Sequence, residues 1–207
     1  LYWGNQPIVA APAYLGIVIL VLALVGFFYL ERKWRITIAF TVLFFLSLSW
    51  GKNFMALTEW VINYMPFYDK FRAVSSIQVI LSLIAPIMGS YGAYRYYTSP
   101  SKSVLKSTFL AVGVLFSTAL TIGLMGGFSG ASDAFYAENY TQDFVRALIE
   151  DRKRLFNKDV FRSILFALLT LSMLWSYQRF HVKKLLFPFL ILLVISDLGT
   201  IAKRYIS

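Results

Sequence analysis

The sequence predicts an all-α integral membrane protein with about six transmembrane helices and two amphipathic helices at the outer membrane interface. Three observations lead there. Of the 207 residues, 58% are hydrophobic and only 14% charged, against about 25% charged in an average soluble domain. The apolar residues fall in long continuous runs bounded by charges. The basic residues concentrate in alternate short connections between those runs.

A helix needs roughly 20 residues to cross about 30 Å of hydrocarbon. By that measure the candidate spans are Ile8–Leu30, Ile36–Trp50, Ser76–Tyr97, Thr108–Gly127, Val160–Phe180 and Leu185–Ala202. Helices are preferred to barrel strands because the runs do not alternate, and a helix satisfies its own backbone in lipid. Ile36–Trp50 is short and is expected to extend into its flanks. Gly89, Ser90, Gly92 and Ala93 give the third span a small-residue surface for close helix contact. Pro86 should bend that span unless neighbours accommodate the freed carbonyl.

Lys and Arg near span ends are retained on the cytoplasmic side. Arg32, Lys33 and Arg35 follow the first span, Arg95, Lys102 and Lys106 join the third to the fourth, and Arg179, Lys183 and Lys184 separate the last two. These loops are assigned to the cytoplasm, and they hold nine of the twenty basic residues. The net charge of +10 therefore points to anionic lipid rather than to nucleic acid. His181 falls in the last of these loops and is expected to be an ordinary loop residue. With one His and no Cys, neither a multi-histidine metal centre, a thiolate site nor a disulfide can be built from this sequence.

The alternate connections, Gly51–Ser75 and Phe128–Asp159, are longer, mix both charge signs and are assigned to the outside. Both ends of the chain then lie outside as well. The sequence begins at Leu1 without an initiator Met, signal sequence or basic leader, and it is expected to be a piece of a larger membrane protein.

Each outer connection holds an amphipathic pattern. In "NFMALTEWVINY", Phe54, Leu57, Val61 and Tyr64 recur at helical spacing, Asn53 can cap the start and Pro66 ends the run, predicting an interfacial helix over about 53–65 with Trp60 at headgroup depth. In "TQDFVRALIEDRKRLF", Phe144, Val145, Leu148, Ile149, Leu155 and Phe156 predict a second one over about 141–157, with Thr141 as cap and Asp143 at the positive end of the helix dipole. The run Glu150-Asp151-Arg152-Lys153-Arg154 is expected to be a solvated face. Ahead of it, "GGFSGASDAF" (Gly126–Phe135) matches neither a P-loop nor a dinucleotide fingerprint and is expected to be a flexible turn.

Asp197 stands inside the sixth span, where an unpaired carboxylate costs about 2.5 to 3.5 kcal/mol. Arg162, near the outer end of the fifth span, is the partner expected for a structural ion pair. The functional alternative for Asp197 is a ligand to a substrate hydroxyl.

The strings "YWGNQPIVAAPAYLG" (Tyr2–Gly16), "LSWGKNFMALTEW" (Leu48–Trp60), "YDKFRAVSSIQVI" (Tyr68–Ile80) and "DLGTIAKRYIS" (Asp197–Ser207), in this order, resemble the YfhO family of bacterial membrane proteins in its Bacteroidetes-type members, along essentially the whole chain. That family looks like the GT-C glycosyltransferases, which take a sugar from a polyprenyl-phosphate carrier on the outer face of the cytoplasmic membrane. The resemblance implies a GT-C-like fold in the bacterial inner membrane, with this chain as the later part of a transmembrane domain that continues into an extracytoplasmic domain. It implies membrane lipid and a polyprenyl-phosphate sugar as partners; no cofactor or metal is expected. The catalytic acid of such enzymes usually lies in the first outer loop, upstream of this sequence, so the resemblance gives no catalytic residue here.

For the stretch "FYDKFRAVSS" (Phe67–Ser76) the resemblance implies a lipid-phosphate site. An Arg at headgroup depth can engage two phosphate oxygens with its planar fork, which makes Arg72 the first candidate. Lys70 and Lys52 are additional cations and Tyr68 a hydrogen-bond donor. The plainer alternative pairs Arg72 with Asp69 or lets it snorkel to ordinary headgroups. The competing function is a non-catalytic transporter, flippase or assembly subunit on the same scaffold.

Overall fold

The computed structural model describes residues 14–50, 54–64, 77–125, 128, 130, 133–180 and 183–203. All regular structure among them is helical: α1 (Ile17–Tyr29), α2 (Arg32–Ser49), α3 (Met55–Tyr64), α4 (Val79–Thr98), α5 (Lys102–Met125), α6 (Asp133–Asn139), α7 (Gln142–Phe180) and α8 (Lys183–Ala202). Three of these are long and apolar enough to cross a membrane, over Lys102–Thr121, Gln142–Phe180 and Lys184–Ala202. The other helices that coincide with expected spans fall short of that measure for identifiable reasons. The described part of α1 is 13 residues long, α2 opens on Arg32, Lys33 and Arg35, and α4 is diluted by four tyrosines and Arg95.

The chain divides into two compact units, one of residues 1–18 and 105–207 and the other of residues 19–104. In the second unit, α1 and α4 approach closely enough for backbone to touch backbone. A Cβ on Gly92 would run into the Leu22 carbonyl and lie 3.0 Å from the Gly26 Cα. One on Gly26 would meet the Met88 carbonyl, and one on Gly89 would sit 3.2 Å from the Ile19 carbonyl. Lipid tails give apolar side chains no reason to prefer each other, so small residues that admit close approach are what hold helices together in a bilayer. The Gly89/Gly92 surface thus has its partner in Gly26.

Also in the second unit, α3 lays one face on α2. Leu48 and Val61 form the buried contact, flanked by Phe44, Phe45, Leu57 and Ile77. Away from that contact α3 exposes Met55, Trp60, Ile62 and Tyr64, and Phe54 just ahead of it is exposed as well, with the Trp60 and Tyr64 rings 5.6 Å apart. An exposed aromatic row on a short amphipathic helix suits the interfacial position.

In the first unit, α7 and α8 form an antiparallel hairpin. Phe166, Ala167, Thr170, Leu171, Leu174 and Tyr177 of α7 are buried, as are Leu186, Leu190 and Leu193 of α8. The remaining faces expose Leu165, Leu168, Trp175, Leu185, Ile191 and Ile195, as lipid-facing helices do. Gly123 of α5 lies against the Phe156 ring of α7.

The structure departs from the sequence expectation at α7. The interfacial helix over about 141–157 and the span Val160–Phe180 are one uninterrupted helix of 39 residues, about 58 Å long at 1.5 Å per residue. Asn157, Lys158 and Asp159 break the hydropathy but contain no Gly or Pro, and nothing else in their chemistry stops an α-helix. Such a helix is nearly twice as long as the hydrocarbon layer is thick. A second departure is α6, seven residues long, which begins at Asp133, inside the stretch expected to be a flexible turn.

Candidate functional site

The densest polar cluster among the described residues is built around Asp197 in α8, which is 0% exposed. Its Oδ1 accepts the Tyr14 hydroxyl at 2.6 Å and Arg162 Nη1 of α7 at 3.0 Å. Its Oδ2 accepts the backbone N–H of Val18 at 3.2 Å. Arg162 Nη1 also reaches the Thr200 hydroxyl at 3.0 Å and the Asp197 carbonyl at 3.2 Å. The Arg162 guanidinium lies over the Tyr14 ring, 4.9 Å from its centroid, a cation–π contact. Asp159, one turn back on α7, comes within 3.8 Å of Arg162 Nε.

The chain brings these groups together for local reasons. Gly16 has φ 85°, a left-handed conformation that other residues rarely adopt, and it turns the chain from Tyr14 into α1. The first amides of a helix have no intrahelical acceptor. Here Val18 N–H bonds the Asp197 carboxylate, and Ile17 N–H bonds the Tyr14 oxygen at 3.3 Å. Asp197 thereby caps α1 from the far end of the sequence while its charge faces both the positive helix end and Arg162. Both carboxylate oxygens are occupied, so the cluster is suited to holding helix ends together.

A second ion pair ties α6 to α7. Arg152, only 2% exposed, donates through Nη1 to Asp133 Oδ2 at 2.7 Å and to the Phe128 carbonyl at 3.0 Å. The same Asp133 oxygen accepts Gly130 N–H at 2.7 Å. The hydrogen bond from Arg152 is the main cause that holds the Asp133 carboxyl below its usual range, opposed by burial and aided by the Gly130 amide. Asp133 Oδ1 and Arg152 Nε are buried with no hydrogen-bond partner among the described residues. Beside the pair, the rings of Tyr136, Tyr140 and Phe144 pack in sequence, Tyr140 stacking on Phe144 at 4.9 Å. The expectation of a solvated face over Glu150–Arg154 is therefore corrected at one position. Glu150, Asp151, Lys153 and Arg154 are exposed, whereas Arg152 points inward.

Of the residues singled out in the sequence, Asp197 and Arg162 are in direct contact at 3.0 Å. Lys52, Tyr68, Lys70 and Arg72 lie outside the described residues, as does His181. Sequence reasoning missed Tyr14, the capped amide of Val18, Asp133 and Arg152. The one available signal was the helical register of Arg152 within the charge run, four residues after the apolar Leu148. Among the described residues no group of three or more His, Cys, Asp or Glu is placed to hold a metal ion. In comparisons with family models, curated proteins and solved structures, nothing matches this chain.

Proposed function

We propose that this chain is part of the transmembrane domain of a YfhO-like protein in the bacterial inner membrane, with about six spans, a GT-C-like architecture and both ends of the chain outside. In this reading the domain handles a polyprenyl-phosphate-linked sugar on the outer face, and Arg72, with Lys70, Lys52 and Tyr68, holds the lipid phosphate. The observation that supports the membrane part is the set of three helices long and apolar enough to span. The transferase part is supported by the sequence resemblance alone. The catalytic acid is assigned to another part of the polypeptide, as the resemblance implies.

The test is turnover of a polyprenyl-phosphate sugar by the whole polypeptide in membranes. Arg72→Ala removes a charge-assisted fork worth about 1.5 to 3 kcal/mol and is expected to lower kcat/KM about tenfold to a hundredfold at unchanged expression. Unchanged turnover would remove the phosphate site. The second reading is a non-catalytic transporter, flippase or assembly subunit on the same scaffold, in which the Asp133 and Asp197 ion pairs serve only to pack helices. An outward-facing acidic residue upstream of Leu1 whose removal abolishes transfer decides for the enzyme.

A further inference from the structure

In the second unit, the turn from α1 into α2 and the end of α4 are tied together. The Tyr29 hydroxyl bonds the Ser99 carbonyl, and the Arg95 guanidinium lies over the Tyr29 ring at 5.6 Å from its centroid. Three basic residues, Arg32, Lys33 and Arg35, begin three positions after Tyr29, and Lys102 begins α5 three positions after Ser99. Glu31 is the one acidic residue at these two turns. Arg35 is already committed, since its Nε donates to the Leu30 carbonyl at 2.8 Å. Arg95, stacked on Tyr29, keeps a buried Nε that has no hydrogen-bond partner among the described residues.

A buried guanidinium nitrogen without an acceptor costs free energy that an anion would recover. Arg95 offers a planar fork, and the surrounding cations raise the local positive potential. The same two segments carry exposed aromatics of the membrane-interface kind. Tyr94 and Trp34 are 60% and 53% exposed, and Lys33 lies 5.9 Å from the Trp34 ring centroid, so cations and amphipathic aromatics alternate as they do at headgroup depth. Basic pockets between transmembrane helices on the cytoplasmic side commonly hold anionic headgroups.

We propose that the corner formed by Tyr29–Arg35 and Arg95–Lys102 binds the phosphate of an anionic lipid headgroup, with Arg95 as its principal ligand. The site rests on the membrane reading of the helices. It is independent of glycosyl transfer, which the function proposed above places on the other face.

Native mass spectrometry of the whole polypeptide, released from micelles containing phosphatidylglycerol or phosphatidylcholine, tests the site. Wild type is expected to retain phosphatidylglycerol in preference to phosphatidylcholine. Arg95→Gln is expected to reduce that retention about tenfold, the loss of one charge-assisted interaction, with less than about twofold loss for the exposed Arg32→Gln. Competition by soluble glycerol phosphate supports a phosphate pocket for which the headgroup suffices, and its failure supports a requirement for the acyl chains. Equal losses for Arg95→Gln and Arg32→Gln would show only diffuse charge and overturn the site, as would unchanged retention. Should Arg95→Gln fail to fold, Arg95→Lys keeps the charge but removes the fork, and retention equal to wild type in that variant overturns the proposal.

Discussion

The carboxylate of Asp197 accepts the backbone N–H of Val18 at 3.2 Å, across 179 positions of sequence. One oxygen thus closes the first turn of α1 while the other takes Tyr14 and Arg162. Replacing a capping carboxylate usually costs about 1 kcal/mol, but here the same group also neutralises a nearly buried arginine. Its loss leaves that charge uncompensated.

The first prediction therefore concerns non-additivity. Asp197→Asn and Arg162→Met should each destabilise by about 3 to 5 kcal/mol, the usual cost of orphaning one partner of a buried pair. The double variant should lose clearly less than the sum, because it buries no lone charge. Thermal unfolding in detergent measures all three. Additive losses would show that the two side chains do not act as a unit.

The glycine contacts make a second, contrasting prediction. At Gly92 the atoms that meet an added Cβ are backbone atoms of Leu22 and Gly26, which cannot rotate aside, so Gly92→Ala should cost about 1 to 3 kcal/mol. At Gly113 and Gly199 an added Cβ meets nothing within 4 Å. Alanine there should be neutral, or stabilising by up to about 1 kcal/mol through helix propensity. The same thermal assay distinguishes the positions, and a harmless Gly92→Ala would contradict the close approach of α1 and α4.

How far the sequence revealed these features depends on the range of the interaction. The apolar runs show where helices lie, and a carboxylate within one of them demands a partner, which is why Asp197 and Arg162 could be named together. Tyr14 gave no such signal, because a tyrosine near a span end is ordinary and its partner lies 183 positions away. Arg152 was hidden by its charged neighbours, although helical spacing from Leu148 places it on the buried face. At Asn157–Asp159 the polarity changes while the helix continues, so hydropathy suggests a break that the backbone does not make. Hydropathy tells where a helix meets lipid or water, and only Gly, Pro or a cap tells where it ends.

Asp133 gives a pH dependence with a definite sign. Its native pKa lies below the ordinary value near 3.8, so its ion pair with Arg152 contributes fully above that range. The contribution is lost as pH falls through the lower native value. Pepsin, active in acid, should begin to cut around α6 only as the pH drops into that window. Asp133→Asn should be cut already at the upper edge of the pepsin range. Identical profiles for the two proteins would mean that the pair does not hold α6 against α7.

The continuity of α7 is open to direct measurement. The chain has no cysteine, so Arg146→Cys and Ser172→Cys, both exposed positions, accept a pair of spin labels without background. A straight helix separates these positions by about 39 Å at 1.5 Å per residue. If residues 142–157 instead turned to lie flat against the membrane, the separation would fall to about 28 Å by the same rise. A narrow distribution near the longer distance is expected, together with a loss of about 3 kcal/mol or more for Asn157→Pro, whose ring would clash inside an uninterrupted helix. The shorter distance, with Asn157→Pro tolerated, would restore two separate helices. With the longer distance, the Asp133–Arg152 pair stands on a rigid N-terminal extension of α7, which fixes α6 and its aromatic neighbours at a set distance from the apolar part of that helix.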